Sequence, residues 1–327
     1  MLYSIDDITL IPGVISPVSS RSECATTYGA DRLPLITSPM SCVINEENAE
    51  LFQEAGFTTI IPRSVPFNVR VGLANTQFVA MGLEELARFI NEVDHSLIEA
   101  SGAYICLDIA SGHMIDALNL VAKAKRINSL VIMAGNIANP LTYIEYAHAG
   151  IDFLRIGIGT GSVCSTSMVS GMHYPMGSLI IDTYEIKQKY DFGPAIVADG
   201  GFHTNDQIIK ALALGADYCM LGSILAKSAE SCGRIIRKGD KGALYKEYYG
   251  MSTQKAQKEF GKDGKKFEEG FYTEVKVEYT IKDWVKRFKH DLSEAMSLAG
   301  VFTLNDFIGN VKYDILSPNA RKAYYEK

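Results

Sequence analysis

The sequence predicts a (β/α)8 barrel, also called a TIM barrel, and three observations carry the prediction. Eight short apolar runs rich in β-branched residues recur along the 327-residue chain. Helix-like amphipathic segments lie between them. The runs are continuously apolar rather than alternating, which suits parallel strands covered on both faces. Eight β–α units are the count that closes such a barrel; a doubly wound open sheet is the competing architecture.

In order, the first run is "LPLIT" (33–37), followed by "EENAELFQEAG". The second, "TTIIP" (58–62), leads through a short segment to the third, "FVAMG" (78–82), and then "LEELARFINEV". The fourth, "YICLDI" (104–109), precedes "MIDALNLVAKAKR", and the fifth, "LVIMAG" (130–135), precedes "PLTYIEYAHAG". The sixth, "FLRIGIG" (153–159), opens the longest connection, 160–194. The seventh, "AIVADG" (195–200), precedes "TNDQIIKALALGA", and the eighth is "YCMLGS" (218–223). Gly56, Gly150 and Gly215 stand where helices stop. Beyond residue 240 the pattern breaks: "DGKKFEEGF" is polar, and "IKDWVKRFKHDLSEAMSLAG" reads as a helix. A polar segment past the last strand is either a disordered excursion or a flap over the site. We expect one barrel domain over 1–327, with a flap at about 245–280 and a C-terminal tail.

Hydrophobic content of 47% suffices for a large core, and the net charge is −6. Neither a nucleic-acid binder nor a membrane binder is expected; an anionic ligand needs a local site. The opening "MLYSIDDITLIPG" does not read as a secretory signal. The six cysteines (Cys24, Cys42, Cys106, Cys164, Cys219, Cys232) form no CxxC pair and no zinc spacing. Scattered thiols without an export signal suggest a cytoplasmic protein. Cys106 and Cys219 fall inside strand-like runs and read as core.

Reacting groups in a barrel of this type lie at the C-terminal strand ends. Here those ends carry Asp108 with Ser111-Gly112, Gly135-Asn136, "GIGTGSVCST" (157–166), Asp199-Gly200-Gly201 and Gly222-Ser223. Glycine N–H groups with the Ser162 and Ser223 hydroxyls can hold phosphate without lysine. Asp199 would repel phosphate and is better placed to accept from two ribose hydroxyls, so a nucleoside monophosphate is suggested. A thiolate beside glycine-loop amides is a strong nucleophile, which makes Cys164 the candidate; a buried spectator thiol is the competing reading. Thr166 can hydrogen-bond a leaving group or water. The carbonyls of Gly159, Gly161 and Cys164 could ring a monovalent cation.

These residues resemble the inosine monophosphate dehydrogenase/GMP reductase family. The match runs through "DDITLIPG", "PLITSPMSCV", "LDIASGH", "MAGNI", "GIGTGSVCST", "ADGGFHTNDQIIKALALGADYCMLGS" and "YKEYYGMST". The resemblance implies a (β/α)8 barrel assembled as a homotetramer, with GMP and IMP as ligands. It casts Cys164 as the nucleophile at C2 of the purine. Ser162, Gly201, Gly222 and Ser223 would hold phosphate and Asp199 the ribose, with Gly200, Tyr249, Gly250, Met251 and Ser252 as further substrate-binding positions. Asp108, Ser111, Gly112, Asn136 and Gly157 would line the nicotinamide site, and Gly159, Gly161 and Cys164 would bind potassium.

Within the family, three features favour the reductase branch, which expels ammonia from GMP and uses NADPH. No regulatory CBS insertion separates "IIPRS" from "FVAMG". No Arg-Tyr dipeptide occurs in 249–275. "YKEYYGMST" and "FEEGF" look like the reductase flap, where Glu269 (or its neighbour Glu268) would work with Thr166 in deamination. A CBS-less dehydrogenase oxidising IMP with NAD and a non-catalytic nucleotide sensor are the alternatives. The chain departs from the family pattern at Ser167, "MHYPMGS", "SPMSCV" and Pro62-Arg63.

Overall fold

The computed structural model describes residues 1–163, 165–190, 192–239, 242–250, 253–259 and 270–325. All eight apolar runs are strands: β1 (Leu35–Thr37), β2 (Ile60–Ile61), β3 (Phe78–Met81), β4 (Ala103–Leu107), β5 (Leu130–Ile137), β6 (Phe153–Ile156), β7 (Ala195–Asp199) and β8 (Tyr218–Leu221). Every pairing among them is parallel, and the order runs β1-β8-β7-β6-β5-β4-β3-β2. A parallel bridge between Ile36 and Thr58 joins the two ends, with Thr37 N–H donating to Thr58 O and Thr58 N–H to Leu35 O, both 3.0 Å. The sheet therefore closes into a barrel, and the open-sheet alternative falls.

The strands are apolar throughout because each packs twice. Ile36, Ile60, Phe78, Ala80, Cys106, Met133, Val197 and Met220 fill the barrel interior. The alternate residues pack outward against helices Ala49–Glu54, Leu83–Glu92, Ile115–Ala124, Thr142–His148 and Asn205–Ala213, which occupy the amphipathic segments read from the sequence. Phe78, Tyr104, Phe153 and Tyr218 meet edge-on across the lower end at 5.4 to 5.6 Å between rings. Cys106 and Cys219 are fully buried, as expected, and burial pushes the Cys106 thiol up to about 12. Gly215 ends its helix at φ 118°, and a Cβ there would lie 2.2 Å from the Tyr184 ring, so only glycine fits.

One buried cation secures the rim beside β3. Arg70 is 1% exposed; its Nε donates to Val65 O at 2.7 Å, and it pairs with Glu85. Glu85 also accepts from Arg63 Nε at 3.0 Å and Gly82 N at 2.9 Å. Burial alone would raise the Glu85 carboxyl; Arg70, the Gly82 N–H and Arg63 outweigh it and hold the carboxyl below its usual range. Glu85→Gln leaves the Arg70 guanidinium buried without a counter-charge and is expected to cost about 3 kcal/mol of unfolding free energy. Denaturant titration read through Trp284, the chain's single tryptophan, checks this. The Glu85 contribution is full above the ordinary glutamate pKa and fades as pH falls through the depressed one.

After β8 the chain forms an antiparallel sheet of β9 (Ile235–Lys238), β10 (Ala243–Tyr249) and β11 (Tyr272–Lys276), in that order, with helix Gln254–Glu259 between the last two. The expected late helix is Ile281–Ala299; its Trp284 stacks on Phe288 at 5.3 Å. A strand near each end, Ile8–Leu10 and Tyr313–Ile315, pairs antiparallel with the other. Among the described residues no helix is long and apolar enough to cross a membrane.

Candidate active site

The C-terminal rim is organised around a residue the sequence reading passed over. Arg155 lies in β6 between Leu154 and Ile156, and its side chain is 6% exposed. Leu154 and Ile156 belong to the outer core, so alternation turns Arg155 into the barrel. Its Nη1 donates to Asp108 Oδ1 at 3.0 Å and its Nη2 to Asp199 Oδ2 at 2.9 Å. Burial opposes the guanidinium charge, but Asp199 and Asp108 outweigh it and raise the group's pKa. Asn136 Nδ2 adds bonds to Asp199 Oδ2 at 2.7 Å and Gly157 O at 2.8 Å. Four strand ends, β4 to β7, are thus tied into one polar floor. A lone charge in a run buried on both faces was the available signal, since such a charge requires partners.

On one side of this floor the β4 and β5 loops stack. Gly112 N donates to Asn136 O at 2.7 Å, and a Cβ on Gly112 would lie 3.0 Å from that oxygen. Ser111 Oγ accepts from His113 N at 3.4 Å, and His113 Nε2 accepts from Ala138 N at 2.9 Å. Asp108, Ser111, Gly112, Asn136 and Gly157 therefore form one cluster. Its hydroxyl, carboxamide and carboxylate suit the ribose and carboxamide of a nicotinamide nucleotide.

On the other side, Gly200 and Gly201 take positive φ of 90° and 85°. A Cβ on Gly200 would lie 2.8 Å from Thr160 Oγ1 and 3.0 Å from Gly161 N, so this turn lies directly on the 160–163 loop. Thr160 Oγ1 donates to Asp199 O at 2.7 Å. Ser223 Oγ donates to Phe202 O at 3.0 Å, placing the β8 loop beside the β7 loop. Tyr248 of β10 joins these parts: its hydroxyl interacts with Ser162 and would be 3.0 Å from a Cβ on Gly222. Sequence reading singled out Tyr249 instead. That ring stacks on Tyr272 at 6.5 Å, and its hydroxyl lies 3.4 Å from Ser41 Oγ.

The ends of β10 and β11 clasp the residues on either side of position 164. Phe271 N donates to Val163 O at 3.0 Å, and Gly270 N donates to Ser165 Oγ at 2.8 Å. A Cβ on Gly250 would come within 2.6 Å of Val163 O. Thr166 begins a short helix, Thr166–Ser170. Cys164, Met251, Ser252 and Glu269, with Glu268, lie outside the described residues. Of the carbonyls assigned to a cation, Gly159 O accepts from Ser167 Oγ at 3.1 Å.

Residues 75–323 match the model of the IMP dehydrogenase / GMP reductase domain. The chain belongs to that family. Its relatives include a protein named GMP reductase from Mesoplasma florum, 31% identical over 96% of this chain and 98% of the relative. A Bacillus licheniformis protein of the same name is 33% identical over 96% of both chains, and one from Bacillus subtilis is 32% identical over the same shares. The family match spans β3 to β11, so the floor and both flanking clusters lie within the family's domain.

Proposed function

We propose that this family member is a GMP reductase, converting GMP, NADPH and a proton to IMP, ammonia and NADP. One juxtaposition carries the reading: the Gly200-Gly201 turn and Asp199 lie against the loop that leads into Cys164. A nucleotide held there by phosphate and ribose presents its base toward the loop in which Cys164 stands. The name GMP reductase carried by the three relatives above supports the reductase over the dehydrogenase.

The residues divide the work as follows. Backbone N–H groups at Gly201, Gly222 and Ser223 and the Ser162 hydroxyl hold the phosphate. Asp199 Oδ2 is taken by Arg155 and Asn136, which leaves Oδ1 to accept from ribose hydroxyls. Tyr249, Gly250, Met251 and Ser252 complete the nucleotide site. The Cys164 thiolate attacks C2, the C2–N bond breaks with the electron pair leaving on nitrogen, and Glu269 with Thr166 delivers the proton that lets ammonia depart. The product of that step is a thioimidate between Cys164 and the purine. NADPH, when bound, would supply the hydride that converts the thioimidate to IMP. Asp108, Ser111, Gly112, Asn136 and Gly157 would hold that cofactor, and Arg155 keeps Asp108 in place. The reading includes a potassium ion at the carbonyls of Gly159, Gly161 and Cys164, a homotetramer, and a cytoplasmic purine-salvage role.

Incubation with GMP and NADPH, followed by NADPH loss and IMP formation, tests this directly. Turnover is expected in that mixture and not with IMP and NAD. Turnover only with IMP and NAD makes the chain a dehydrogenase, and turnover in neither overturns the assignment.

A further inference from the structure

The strand β10 carries an ion cluster that the reaction as described does not use. Alternation along β10 sends Lys246 and Tyr248 down onto the barrel and leaves Glu247 and Tyr249 on the opposite face. Lys246 Nζ donates to Ala229 O at 2.8 Å and Tyr248 reaches Ser162, so the inner face is anchored. On the outer face stands Glu247, a carboxylate only 3% exposed. Arg234 of the segment entering β9 reaches its Oε1 at 2.7 Å, Tyr272 of β11 donates to the same oxygen at 3.0 Å, and Lys255 of helix Gln254–Glu259 holds Oε2. The Lys255 ammonium also lies 4.7 Å from the Tyr249 ring centre and 5.8 Å from that of Tyr272. Tyr249 and Tyr272 are register partners, the last pair before β10 and β11 part.

That last pair sets where the next residues fall. Immediately beyond it, Gly250 packs on Val163 O, Phe271 N donates to Val163 O, and Gly270 N donates to Ser165 Oγ. We infer that Glu247, clamped between Arg234, Lys255 and Tyr272, is a positioning residue that holds the β10–β11 ends in register and thereby orients the Cys164 loop. The inference rests on the reading that Cys164 is the nucleophile. Glu247 acts through backbone placement, and small displacements of a reacting group are costly in rate.

The test uses the full chain with Glu247→Gln, Lys255→Met and the double variant. Lys255 is 40% exposed at its side chain, so its replacement keeps the experiment informative if Glu247→Gln fails to fold. Three quantities are read: kcat and KM for GMP, the iodoacetamide alkylation rate at Cys164 located by peptide mass spectrometry, and the melting transition read by Trp284 in helix Ile281–Ala299. The expected result is a kcat loss of about tenfold in each single variant with KM for GMP within about threefold. The alkylation rate at Cys164 changes by about fivefold or more, and the Trp284 transition stays in place. Because the two residues act as one unit, the double variant is no worse than Glu247→Gln. A kcat and an alkylation rate both within about twofold of the parent overturn the inference, as do additive losses in the double variant. A parent protein inactive on GMP instead overturns the functional reading, and the alkylation rates still decide the role of Glu247.

Discussion

Cys164→Ala is expected to abolish GMP reduction, lowering kcat by at least about a thousandfold, while GMP still binds within a few-fold of the parent affinity. The split follows from how the site is built. The groups assigned to the phosphate and ribose are backbone amides, the Ser162 hydroxyl and Asp199, and none depends on the thiol. The C2–N bond, in contrast, cannot break without a nucleophile to take the place of the amine, because the barrier is lowered only by interactions formed as the bond rearranges. Calorimetric titration of GMP into the variant, beside the NADPH assay, measures both halves. Residual turnover near the parent rate would remove the covalent mechanism, and loss of GMP binding would mean that the thiol holds the site together.

Arg155→Met is expected to lower kcat/KM for GMP by about a hundredfold to a thousandfold, equivalent to roughly 3 to 4 kcal/mol. The guanidinium neutralises Asp108 and Asp199 at the same time, and its side chain is 6% exposed. Methionine keeps the length and the apolar stem but leaves two partly buried carboxylates beside each other without a cation. Arg155→Lys is expected to restore only part of the loss. One ammonium cannot reproduce two fixed N–H groups, one reaching 3.0 Å to Asp108 and the other 2.9 Å to Asp199. Steady-state kinetics on the three proteins, with Trp284 fluorescence to confirm that each is folded, decides this. Activity within tenfold of the parent in Arg155→Met would show that the two carboxylates do not need their shared cation.

Much of the architecture was legible because the physics behind it is local. Each β strand of the barrel is buried on both faces, so its sequence is an unbroken apolar run. The five helices named above each follow their strand with a 3.6-residue stripe. Gly56, Gly150 and Gly215 all take positive φ, as expected at helix stops. The candidate site was legible where it depends on backbone approach: Gly157, Gly200 and Gly222 each stand where a Cβ would meet a neighbouring loop, and a glycine letter reports that directly. Arg155 was hidden because its neighbours Leu154 and Ile156 made the run read as ordinary core. Tyr248 was hidden because two adjacent tyrosines differ only in which face of β10 they occupy. The sequence reading expected a flap at about 245–280 and did not find the β9–β10–β11 sheet, because its strands are short and largely charged and hold together through pairing across residues 235 to 276.

The sequence by itself determined the barrel, the ring of glycines and polar groups at its C-terminal rim, and the family motifs that run through them. These follow from periodicity, from burial on two faces, and from conformations that only glycine adopts. Only the tertiary structure decided that Arg155 joins Asp108 to Asp199, that Tyr248 rather than Tyr249 meets Ser162, and that Val163 and Ser165 are gripped by the strand ends at 250 and 270–271. Each of these is a contact between residues far apart in the chain, and no local pattern encodes it: the barrel's closure brings the groups together, and the cost of leaving a buried charge or donor unpaired then selects the partner.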